Sequence, residues 1–237
     1  MNWDLLLYPL FIISILFSGW AQFKISATYS KYSKVYTAAG RTAADIARMM
    51  LINNGISDVS IGRVSGHLTD HYHPTKRVLA LSDTTCTSSS AAAIGVAAHE
   101  AGHAIQHSTG YFPIKLRSFL VPITNFASKI SWLFILGGVI LTAIAETVSF
   151  GDTVLLIGIG LYATTTVFQL VTLPCEFDAS RRAIVALRSS GLYSASELNA
   201  AKKVLSAAAM TYVAATFASA VSLFRIILIF GRRGNRR

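Results

Sequence analysis

Residues 5–23 run for 19 positions without a charged side chain, and residues 153–175 do so for 23. An α-helix needs about 20 apolar residues to cross a bilayer, so each stretch is long enough to span one. Two further stretches, 130–145 and 204–224, are also uncharged. The first is approached through residues 118–128 and Lys129; the second is rich in Ala and Ser and could instead be a helix buried against the others. With three or four such segments the backbone polar groups must be satisfied inside helices, which dictates a helical membrane bundle. Composition agrees: 53% of the 237 residues are hydrophobic and 14% charged, roughly half the charge of an ordinary soluble domain. That excludes a free-standing soluble enzyme and a disordered tail. Two cysteines, Cys86 and Cys175, are too few for a disulfide framework and fit a reducing compartment.

The net charge of +10 raises nucleic-acid binding as a first question. The basic residues stand mostly beside the apolar runs, which is the positive-inside pattern of a membrane protein, so the bilayer is the expected partner and nucleic acid is not. The first span reads as an uncleaved anchor. It opens Met-Asn-Trp-Asp without a basic start and continues Ser-Gly-Trp-Ala-Gln without a small-residue cleavage site. After it come Lys24, Lys31, Lys34, Arg41 and Arg48; after the third span come Arg181, Arg182, Arg188, Lys202 and Lys203. The turn between spans two and three carries only Glu146 and Asp152. These counts place both polar segments in the cytoplasm and the amino terminus and the Glu146 turn outside. The tail Arg232, Arg233, Arg236 and Arg237 breaks the pattern if the last apolar helix crosses fully.

The expected organisation is a membrane anchor at 5–23 and a cytoplasmic-side domain at 24–116. Membrane helices two and three follow within 117–175, then a helical segment at 176–203, a fourth apolar helix at 204–230 and a basic tail at 231–237. Within the domain, residues 37–53 read as an amphipathic helix stopped by Asn54-Gly55. Residues 57–64 and 77–82 read as strands, and Ser88-Ser-Ser90 can cap a helix from Ala91. Asp70, His71, Tyr72 and His73 read as a polar cluster in a turn fixed by Pro74. Residues 176–188 look helical, and Ser194-Ala-Ser-Glu197 forms a capping box for the next helix.

All six histidines fall between His67 and His107, and among them stands His99-Glu100-Ala101-Gly102-His103. On a helix, positions i and i+4 share a face one turn apart, so both imidazoles can reach one zinc ion. Glu100 sits beside that face, where it can take a proton from a water whose pKa the metal has lowered. A catalytic zinc needs a third protein ligand. His107 lies one turn too far along the helix to share the ion. The longer pattern with Gly and His after the second histidine is absent, because Gln106 and Thr109 stand there. Glu146 falls on the other side of the membrane by the charge argument, and Glu197 belongs to its capping box. Glu176 emerges from the third span on the histidines' side and is the candidate ligand; the competing reading is a carboxylate stabilised by a helix N-terminus. Asp178 is either a partner that orients a ligand imidazole or an ordinary first-turn helix charge. Arg181 and Arg182 could stabilise an oxyanion, though their place beside a span explains both without chemistry. Tyr72 or His71 could serve as a transition-state donor.

Four blocks carry a resemblance across nearly the whole chain: Leu-Thr-Asp-His-Tyr-His-Pro at 68–74, Val-Leu-Ala-Leu-Ser at 78–82, Ala-Ala-His-Glu-Ala-Gly-His-Ala-Ile-Gln at 97–106, and Leu-Pro-Cys-Glu-Phe-Asp-Ala-Ser-Arg-Arg at 173–182. Together they resemble the YugP-like neutral zinc metallopeptidases of bacterial membranes, a family similar to the HtpX and CAAX prenyl endoprotease group. In that group the third ligand is the Glu of a Glu-x-x-Ala-Asp motif. The resemblance puts Glu176 in the ligand position and Ser180 where the Asp would stand, and Cys175 replaces an aliphatic residue.

The expectation is therefore a mainly α, multi-span membrane protein with a zincin-like metallopeptidase domain containing a small β-sheet. Zinc would be held by His99, His103 and Glu176, with Glu100 as general base for hydrolysis of membrane or membrane-proximal proteins. The bacterial plasma membrane is the expected location, with the active site facing the cytoplasm. The strand at 78–82 could bind a peptide in extended form. The alternative from another class is a membrane scaffold or adaptor with a zinc site and no proteolytic activity.

Overall fold

The computed structural model describes residues 4–144 and 147–231. The turn at Glu146, the first three residues and the arginine tail lie outside the described residues. Ten elements follow in order: α1 (Asp4–Tyr32), α2 (Ala43–Asn53), β1 (Ser60–Val64), β2 (His71–His73), β3 (Val78–Ser82), α3 (Asp83–Cys86), α4 (Ala91–Ser108), α5 (Phe112–Ala143), α6 (Val148–Ser189) and α7 (Ala195–Gly231). Among the described residues four helices are long and apolar enough to cross a membrane: α1, α5, α6 and α7. The protein is mainly helical, with one three-stranded sheet. The chain forms two compact units.

One unit comprises the chain up to Gly19, Leu116–Leu173 and the chain from Tyr212 onward. Its helices approach closely where they carry glycine. A Cβ at Gly138 would stand 2.5 Å from the Leu155 backbone nitrogen, and one at Gly158 would stand 2.7 Å from that of Ile135. Small residues at such crossings are how helices pack where no hydrophobic effect drives them together. Ile135, Leu155 and Ile226 form the buried core, with Tyr162 and Phe230 packed on it. Thr166 and Ser219 share a hydrogen bond of 2.8 Å between their hydroxyls across α6 and α7. The outward faces are apolar: Ile12, Ile13, Leu16, Leu133, Leu136 and Leu156 are all exposed. In water so much open hydrocarbon would drive association; in a bilayer it is the expected surface.

The second unit comprises Trp20–Lys115 and Pro174–Thr211, and α4 is its centre. Ser90 accepts the Ala93 N–H and so starts the helix at the expected residue. α2 packs Ile46, Ala47 and Met50 into the same core as Ile94, Ala97, Ala98 and Ala101 of α4. α2 begins six residues later than the apolar pattern suggests. Thr37 bonds instead to the Ser89 carbonyl through its N–H and hydroxyl, and a capping box between Thr42 and Asp45 fixes the start. The second capping box forms as expected between Ser194 and Glu197, and Glu197 also accepts the Ala38 N–H.

The sheet has the order β1-β3-β2, with β1 parallel and β2 antiparallel to β3. Leu79 and Leu81 of β3 are fully buried in the core. β2 is a strand where the sequence suggests a turn, because Asp70 accepts bonds from the Ser82 N–H and hydroxyl and from Thr85, tying the start of β2 to the end of β3. β3 is the central strand and pairs on both sides, so it has no free edge for a peptide, contrary to the expectation for residues 78–82.

Two glycines let other helices lie against α4. A Cβ at Gly95 would stand 3.3 Å from the Ala201 Cβ of α7, and one at Gly102 would stand 2.7 Å from the Ala179 carbonyl oxygen of α6. The Gly102→Ala variant should therefore be destabilised by about 1–3 kcal/mol, the usual scale of overpacking. Gly160→Ala, on a helix with nothing within 4 Å of the added carbon, should be neutral or stabilising by about 0.5–1 kcal/mol. Melting curves of both purified variants in one detergent test the contrast; equal shifts would show that the contact at 102 is not tight.

Candidate active site

His99 and His103 occupy one face of α4, one turn apart. Their rings lie 4.7 Å apart and nearly perpendicular. The close approach at Gly102 brings α6 alongside at Ala179, and Glu176 stands three residues earlier on that helix. Its Oε2 lies 3.1 Å from His99 Nε2 and 3.6 Å from His103 Nε2. The Glu176 side chain is 2% exposed. The structure thus unites two segments 77 residues apart.

These residues fit a zinc ion. Ligand atoms bound tetrahedrally at about 2.0–2.2 Å from zinc stand about 3.3–3.6 Å from one another. The separations of 3.1 and 3.6 Å bracket that range closely, and one ligand atom from each of the three residues lies within 4.8 Å of the others. Two imidazoles and one carboxylate are donors that zinc takes readily. Among the described residues the group has three members, His99, His103 and Glu176; a catalytic zinc takes three protein ligands.

The far nitrogen of each imidazole is also held. Gln106, fully buried, places its Oε1 2.9 Å from His103 Nδ1. Its Nε2 donates to the Cys175 carbonyl at 2.8 Å and to Asp178 Oδ2 at 3.0 Å. Both amide hydrogens are thereby committed, which fixes the amide orientation. Only an acceptor faces His103, so its Nδ1 carries a proton, and Nε2, the atom turned to Glu176, is the one that would hold a metal. Asp178 thus reaches His103 through Gln106, and Arg181 and Arg182 both pair with Asp178. Both guanidinium groups are engaged there, and Arg182 also lies over the Tyr111 ring. His99 Nδ1 meets the Ser180 hydroxyl at 3.1 Å. Gln106 is the residue that sequence reasoning passed over. The available signal was an amide three residues after His103 on an otherwise apolar face, where i and i+3 are neighbours.

Glu100 is partly exposed on α4, and its Oε2 accepts the Tyr72 N–H of β2 at 2.9 Å. His71 is exposed, with Nδ1 beside the Thr69 carbonyl. Burial raises the Tyr72 phenol above its ordinary pKa, and the ring packs edge-on to His107 at 6.1 Å. His107 is outside the metal-ligating group, as the helix geometry requires. Burial, aided by the charges of Arg77 and Lys115, lowers its pKa and favours the neutral imidazole.

Replacing Gln106 by Leu should weaken zinc binding by about 10–100-fold, the usual consequence of losing a partner that orients a ligand histidine. Competition between the purified protein and a zinc chelator measures this directly. Unchanged affinity would mean that Gln106 serves packing alone.

A family model described as "Putative neutral zinc metallopeptidase" matches residues 7–231. The chain is 46% identical over 215 residues to a Bacillus subtilis (strain 168) protein named "Putative membrane protease YugP", covering 90% of this chain and 91% of that protein. No solved structure matches the chain. The family implies zinc as cofactor, and the extent of both matches shows that this chain belongs to the neutral zinc metallopeptidase family.

Proposed function

We propose that this protein is a zinc endopeptidase that cuts membrane or membrane-proximal proteins on the cytoplasmic side. The observation that carries this reading is the buried Glu176 carboxylate beside both imidazoles of the same helix that bears Glu100. His99, His103 and Glu176 would hold the zinc. When bound, zinc polarises the scissile carbonyl and lowers the pKa of water.

The chain's own residues account for the rest. Glu100 takes the proton of the attacking water and delivers it to the leaving amine. The Tyr72 N–H holds one of its carboxylate oxygens, which aims the group. Since that N–H points to Glu100 and not to β3, Tyr72 and Leu79 form a non-hydrogen-bonded pair of the antiparallel ladder. The Tyr72 carbonyl then also faces the free edge of β2. An extended substrate laid along that edge can bond to it beside Glu100, so β2 is the strand proposed for peptide binding. A scaffold with a structural zinc would need neither an open donor set nor a carboxylate fastened beside it.

Glu100→Gln should keep about one zinc per chain and lose at least about 10²-fold in peptide cleavage, the usual scale for losing a general base. His103→Ala should lose the metal as well. Zinc analysis and casein cleavage with detergent-purified protein test both, and full activity in Glu100→Gln would remove the assignment.

The cytoplasmic orientation has its own test, with single cysteines introduced into a Cys86→Ala, Cys175→Ala background. Both probe positions, Ser65 and Ser149, are exposed. A membrane-impermeant thiol reagent applied to intact cells should label the cysteine at 149 and not at 65. The reverse pattern would place the site outside.

A further inference from the structure

A groove of about 520 Å³ in the second unit lies far in sequence from the residues proposed for catalysis. Its walls are one face each of α1 and α7. Lys24, Ala27, Thr28 and Lys31 follow the i, i+3, i+4, i+7 rule on α1, and Lys203, Ser206, Ala207 and Met210 do so on α7. The spacing of Lys24 and Lys31 is two helical turns, about 10 Å along the axis. All three lysines are exposed, the floor is small and apolar, and the lining holds no acidic side chain. Three cations around an apolar floor with no carboxylate is a surface that lacks its counter-charge.

Sequence position states where that charge comes from. Lys24 is the first charged residue after the uncharged run 5–23, and Lys203 the last before the run 204–224. Both therefore belong to the depth at which a span meets the headgroups. The Lys24 Nζ lies 4.4 Å from the centroid of the Trp20 ring, and Trp is the residue that marks this interface. A ligand matching the groove needs a negatively charged head for the lysines and hydrocarbon for Ala27, Ala207 and Met210. We infer that this groove binds an anionic phospholipid of the bilayer, its phosphate among Lys24, Lys31 and Lys203 and its first acyl carbons on the apolar floor. Basic pockets beside membrane helices take such headgroups, and their lysines add to the attraction one by one.

The test uses full-length protein in neutral detergent, titrated with phosphatidylglycerol or with phosphatidylcholine of the same acyl chains, bound lipid being counted by native mass spectrometry. Wild type should prefer phosphatidylglycerol. The triple variant Lys24→Gln, Lys31→Gln, Lys203→Gln should bind it about tenfold or more weakly, with phosphatidylcholine binding unchanged. The charge-preserving triple Arg variant should retain the preference, which guards against a folding defect in the first. Removing three other basic groups, with Lys76→Gln, Lys115→Gln and Arg188→Gln, should leave the preference in place. Undiminished phosphatidylglycerol binding by the Gln variant would overturn the proposal, as would an equal loss in the control triple. Displacement of the lipid by an equal concentration of glycerol 3-phosphate would overturn it too, by showing a site for free phosphate.

Discussion

A carboxylate that is 2% exposed is the feature around which the second unit is arranged. An ionised carboxylate removed from water is costly unless opposite charge or donors compensate it. Glu176 meets that requirement with two imidazoles at 3.1 and 3.6 Å. The imidazoles belong to α4 and the carboxylate to α6, so the helices must approach almost to backbone contact. Any side chain at position 102 would prevent this, since even a Cβ would meet the Ala179 carbonyl at 2.7 Å. The glycine inside the zinc motif is therefore a packing requirement of the third donor. Any metal held by these three residues would be coupled to helix packing through that one position.

Small residues do comparable work in the first unit, for a different reason. Within lipid, hydrocarbon is no better buried against a helix than against an acyl chain, so close van der Waals contact and interhelical hydrogen bonds must hold helices together. Gly138, Gly158 and the Thr166–Ser219 pair supply both. The large aliphatic side chains are then released to the outer faces, where many stay exposed. In the second unit the order is the usual one for water, with Ile46, Met50, Leu79, Leu81 and Ile94 inside.

The elements best read from sequence are those set by local rules. The helix start at Ser90, the capping box at Ser194 and the four apolar helices need only near neighbours to specify them. Residues 37–42 stay outside α2 because Thr37 answers to Ser89, a partner 52 residues away. β2 was misread because a strand of three residues leaves almost no periodicity, and Asp70 fixes it through Ser82 and Thr85. At the candidate site, helical geometry alone placed His99 and His103 on one face, and elimination together with family resemblance pointed to Glu176. Gln106 stayed invisible because its role depends on where Cys175 and Asp178 arrive in three dimensions.

The two imidazoles are held unequally, and the difference follows from the chemistry of their partners. Gln106 has both amide hydrogens engaged, so it offers His103 an acceptor and nothing else. Asp178 is itself fastened by Arg181 and Arg182, which keeps the amide from turning over. A Ser180 hydroxyl meets His99 instead, and a hydroxyl can donate or accept. His103 is thus held with Nδ1 protonated, which would present Nε2 to a metal, whereas His99 can adopt the same state without being compelled. A carboxylate at 180 would have compelled both. With serine there, the partner of His99 leaves its tautomer open, whereas Gln106 settles that of His103.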